Sequence, residues 1–66
     1  MIEFTAEEKH AEAVREVAMR KQVYEGLVRA TSLSQQEADR RIALMREIAE
    51  DYSQLAEKER AFQEGA

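Results

Sequence analysis

A glutamate followed three residues later by a histidine is the pairing in this chain that most suggests chemistry. In a helix Glu7-x-x-His10 would put a carboxylate and an imidazole on one face, the spacing with which di-iron carboxylate bundles aim two ligands inward. His10 is the only histidine. A complete metal site would therefore need a twofold copy to supply the second Glu-x-x-His, with Glu57 or Glu59 approaching from the other half of the chain. Glu7 and His10 are the metal candidates on that ground, but the expectation is that no metal or cofactor is bound and that His10 lies at a bundle edge near Leu55. Nucleophilic catalysis has less to stand on, because there is no cysteine and Ser32, Ser34 and Ser53 lack a histidine and carboxylate arranged to activate them. The chain reads as a non-enzyme.

The densest basic pairs are Arg20-Lys21 and Arg40-Arg41, and guanidinium and ammonium groups at one height could grip phosphates. Acidic residues interleave with them, namely Glu16, Glu25, Glu37, Asp39 and Glu47. The formal charge is −4, so long-range steering of a polyanion would be repulsive. A solvated face laced with pairs four residues apart is the favoured reading. The nucleic-acid alternative rests on Arg20, Lys21, Arg40 and Arg41, by analogy with the small helical-hairpin dimer Rop, which grips paired RNA loops.

The elements that must hold these side chains are few. Sixty-six residues make one domain, and ordering them costs on the order of 100 kcal/mol at roughly 1.5 kcal/mol per residue, which so small a core barely offsets. With no cysteine to form disulfides, association with another chain is the expected remedy. There is no proline, and the glycines are Gly26 and Gly65, so little interrupts a helix. Thr5-Ala6-Glu7-Glu8 and Ser34-Gln35-Gln36-Glu37 both fit the capping box, and Leu33 can staple onto Ala38. The second box reads as the stronger. Helices are expected over about residues 6–30 and 35–63, joined by a turn at 31–34, in a single all-α antiparallel hairpin spanning 1–66.

Apolar residues recur at steps of three, four and seven. Val14, Val17, Tyr24 and Val28 mark helix one; Ile42, Met45, Ile48, Tyr52, Leu55 and Phe62 mark helix two. These ten are the predicted protein interface. A lone pair of helices cannot cover both stripes, and Val23, Leu27, Leu44 and Phe62 fall at their margins or beyond. The hairpin is therefore expected to dimerise into a four-helix bundle or coiled-coil-like assembly, to bind another protein, or both. Gly26 implies either a loosened helix or a close backbone approach.

From Val17 to Tyr52 the order of residues resembles a group of small phage and prophage proteins of uncharacterised function. Ala18-Met19-Arg20, Val23-Tyr24, Ser34, Ala38-Asp39-Arg40, Ile42, Met45, Ile48 and Asp51-Tyr52 carry the likeness. In that group a proline usually follows the tyrosine and a glycine sits in the turn, where this chain has Glu25 and Thr31. The resemblance implies a phage-related origin and no activity; a specific form of the interaction reading is a phage accessory protein of inhibitor or anti-defence type that acts on a host or phage protein through its acidic helical face. The turn-and-cap segment also resembles short helical hairpins of bacterial oligomerisation modules. The start Met-Ile-Glu-Phe-Thr has no leader-like pattern and no apolar run reaches the roughly 20 residues that span a bilayer, so a cytoplasmic location without membrane contact is expected.

Overall fold

The computed structural model describes residues 3–65, as two helices, α1 (Ala6–Arg29) and α2 (Gln35–Gly65). They fold back on each other as a hairpin of 53 × 23 × 16 Å. Met1 and Ile2, part of the start read as lacking a leader, lie outside the described residues. No helix among the described residues is long and apolar enough to cross a membrane.

The start of α1 is fixed by a reciprocal cap. The Glu8 amide donates to Thr5 Oγ1 at 3.1 Å and the Thr5 amide donates to Glu8 Oε1 at 3.1 Å, satisfying two N–H groups that the first turn leaves without helical partners. At the start of α2 only half of this pattern forms, contrary to the expectation that the second box is the stronger. The Glu37 amide donates to Ser34 Oγ at 3.1 Å, but the Glu37 carboxylate turns to Arg41 at 2.9 Å and Arg40 at 3.6 Å. Two guanidiniums within a turn outcompete one backbone amide for that carboxylate. Leu33 is half buried and Ala38 buried, as a staple between them requires.

The turn closes by a Schellman arrangement after the cap residue Ala30. The Ser32 amide donates to the Leu27 carbonyl at 2.9 Å and the Thr31 amide to the Val28 carbonyl at 3.0 Å. This geometry needs a left-handed residue, and Thr31 supplies it at φ 60°. A β-branched residue is a poor choice for that conformation, in which glycine carries no Cβ penalty. Gly26, in contrast, lies in unbroken helix with nothing within 4 Å of where a Cβ would be. Helix one neither loosens nor meets a backbone there, so both expectations for this glycine are corrected.

The core is made of alanines. Ala6 and Ala13 of α1 and Ala38, Ala49 and Ala56 of α2 are the buried apolar residues, spaced by seven or eleven so that they fall on one line of each helix. Small side chains let two helices approach toward the near end of the 8–10 Å range of axial distances. Val17, Tyr24, Val28, Ile42, Met45 and Tyr52 are half buried beside this line. Three polar contacts set the register across the seam. The Ala6 amide donates to Glu59 Oε2 at 3.4 Å, His10 Nδ1 lies 2.9 Å from the Ala49 carbonyl oxygen, and Arg20 Nη1 donates to the Arg41 carbonyl at 3.2 Å.

Candidate interaction surface

The seam divides the surface into two flanks with different chemistry. On the first, a shallow groove is lined by Lys9, Glu12 and Glu16 of α1 and by Met45, Ile48 and Tyr52 of α2. Lys9 Nζ stands 5.6 Å from the centre of the Tyr52 ring, a cation–π contact. Steps of four and seven extend this flank along each helix. Val23 is seven residues after Glu16, with Met19 and Leu27 one turn to either side, while Leu55 is seven after Ile48 and Leu44 is four before it. All of these are exposed, Met19 and Val23 at 54% and 53%, Leu44 and Leu55 at 47% and 45%. The second flank pairs Val14, Ala18 and Lys21 with Arg46 and Glu50, and Lys21 continues toward the turn with Glu25, Val28 and Ile42. Charges there alternate with small apolar residues.

The apolar residues of the first flank are arranged diagonally. Arg20 is level with Arg41 and His10 with the turn ending near Ala49. Met19, Val23 and Leu27 therefore occupy the turn half of α1, whereas Leu44 and Ile48 lie toward the middle of α2 and Leu55 in its open-end half. The opposite corners are charged, with Lys9, Glu12 and Glu16 low on α1 and Arg40 and Arg41 around Glu37 high on α2.

Of the ten residues expected at the interface, Val17, Tyr24, Val28, Ile42, Met45 and Tyr52 line the intramolecular seam and remain half accessible. Val14, Ile48, Leu55 and Phe62 are exposed, Phe62 at 80%, so they do not hold the hairpin together. Met19 is absent from the sequence-based set, and Val23, Leu27 and Leu44 are only marginal in it. The four-residue steps 19, 23, 27 and 44, 48 are the signal that marks them.

The residues with chemical potential are mostly engaged. The contact of His10 Nδ1 with the Ala49 carbonyl requires the ring to donate there, since a carbonyl oxygen only accepts. His10 is half buried against α2 while Glu7 is exposed, and among the described residues no three acidic or histidine groups converge as a metal set. Arg20 lies 2.8 Å from Glu16, and its neighbour Lys21 faces the second flank. The structure thus brings Arg20 and Arg41 to one height but places Lys21 around the molecule from them. The Glu37 carboxylate, with a smaller contribution from the Tyr24 hydroxyl, raises the Arg41 pKa above its ordinary value. Arg41 therefore stays charged throughout the pH range of a folded protein. The remaining ion pairs, such as Arg15–Glu12 and Arg29–Glu25, are exposed pairs within α1 and contribute little.

Comparison with protein-family models, with curated proteins and with solved structures finds no match to this chain.

Proposed function

We propose that this chain is a non-enzymatic interaction module that works as an oligomer, a second copy of the hairpin completing a four-helix bundle. The observation that carries this reading is the placement of side chains by size. Among the described residues only alanines are buried in the seam, with larger side chains half buried beside them, while Met19, Val23, Leu27, Leu44, Ile48 and Leu55 stay exposed on the flank. Burying a side chain of leucine size contributes about 1.5–3 kcal/mol, against about 0.8 kcal/mol for a single carbon. A lone hairpin thus leaves about half of the surface of several large apolar side chains in water, and a surface with that many large apolar groups marks a docking site. Engagement of His10 by Ala49 and use of Ser34 as a helix cap support the non-enzymatic part of the reading.

Size-exclusion chromatography with light scattering at micromolar concentration tests it. The expected mass is twice that of the chain or a higher multiple. A helical, cooperatively folding species of single-chain mass would refute self-association.

The resemblance to phage and prophage proteins supports a finer reading in which the assembled module acts on a host or phage protein. Glu47, Glu50, Asp51 and Glu57, exposed along α2, offer a surface for a basic partner. A stoichiometric partner recovered with the wild type and lost with E47K/E50K is the expected result; retention by that variant removes the acidic face from the account. The RNA-binding alternative is less favoured, because three of its four basic residues are tied to carboxylates. Gel retardation of paired RNA loops at low salt, where phosphate contacts are strongest, would revive it.

A further inference from the structure

We infer that the first flank is the surface that seats the second copy, and that the two hairpins cross there along the diagonal apolar stripe from Val23 to Leu55. This deepens the oligomer reading and rests on it. The size of the missing contact fits that occupant. The chain exposes 5506 Å², whereas a compact monomer of its mass, 7.6 kDa, exposes about 4,300 Å². The excess, about 1,200 Å², exceeds the roughly 800 Å² that each partner contributes to a standard stable interface.

The direction of the stripe selects the geometry. If the hairpins stacked parallel, turn over turn, Val23 and Leu27 of one copy would face the Arg41 end of α2 in the other, and Ile48 would face Glu12. Apolar groups would then sit on charges across most of the contact. A twofold axis along the stripe avoids this by laying the apolar diagonal of one copy on that of the other. Because that axis exchanges the two corners beside the stripe, Glu12 and Glu16 of each copy come to face Arg40 and Arg41 of the other, extending the pairs Arg20–Glu16 and Arg41–Glu37 within each chain into a network across the contact. An axis perpendicular to the stripe within the same plane would instead set each corner against its own copy, bringing like charges together. Charge complementarity therefore favours the axis along the stripe. In an isologous contact of this kind, residues on the axis meet their own copies.

The chain has no cysteine, which allows a direct test with single-cysteine variants of the full chain. V23C and L55C, oxidised gently at micromolar concentration, are expected to form disulfide-linked dimers in high yield, since an axis along the stripe brings each within the Cα separation a disulfide tolerates, up to about 7 Å. V14C, on the opposite flank, is expected to stay reduced or to cross-link at least tenfold more slowly. Rapid cross-linking of V14C with V23C and L55C unreactive would place the interface on the other flank. Mixed V23C/L55C dimers forming while neither variant pairs with itself would overturn the axis. The mass of the unoxidised wild type separates the two levels of argument. A dimeric wild type with none of these cross-links removes this inference and leaves the oligomer reading standing, whereas a monomeric wild type removes both.

Discussion

The inner seam and the first outer flank are built from opposite materials. The seam is centred on a line of alanines, Ala6, Ala13, Ala38, Ala49 and Ala56, with larger side chains such as Tyr24, Ile42 and Met45 half buried beside it and polar side chains reaching carbonyls across it. The flank carries long apolar side chains that remain 36–54% exposed. In a self-sufficient domain the large residues would be inside, because transfer free energy scales with apolar area. Their reversal here indicates that the seam sets the distance between the helices, while the flank holds the apolar area available for association.

The largest effect expected from this contrast comes from filling the seam. Ala49→Leu should destabilise the protein by about 3 kcal/mol, since extra carbons at a close helix contact force the backbones apart. Denaturant titration reads it, and an unchanged midpoint would show that the helices are not held closely at the alanines. On the flank, Leu55→Ala should cost about 2 kcal/mol where the protein is associated but much less at dilutions where it is not. An equal loss at every concentration would mean that Leu55 packs within its own chain.

Two smaller changes sharpen the comparison by touching neither region. Gly26→Ala should raise stability by about 1 kcal/mol, because the site is helical and open, with the association constant unchanged. A shift in association would put Gly26 in the interface. Thr31→Gly should stabilise by roughly 0.5–1 kcal/mol, relieving a left-handed threonine at the expense of some unfolded-state entropy. Equal or lower stability by thermal melting would show that the turn is not strained.

The helices and their ends are legible from the chain because the signals are local. Thr5 and Ser34 cap where hydroxyls three residues ahead of a glutamate predict, and nothing between them breaks a helix before the turn. The centre of the seam is not legible in the same way. Steps of three and four define a stripe about 100° wide, and Ala49 and Ile48 both fall within or beside it. Which of them faces the partner helix depends on how closely the axes approach, a property of both helices at once. The spacing places Ala38, Ala49 and Ala56 in one stripe with Ile48, Leu55 and Phe62, and does not tell that the alanines alone of these are buried. The competition for Glu37 between an amide and two arginines is likewise hidden, since each partner alone fits the local pattern.

The most direct test of the account is the melting temperature of the wild-type chain over a hundredfold range of concentration. Association coupled to folding makes this temperature rise steadily with concentration, and that rise is the predicted result. A sharp transition at one temperature throughout the range would contradict the account, because the alanine seam alone would then be enough to hold the hairpin folded.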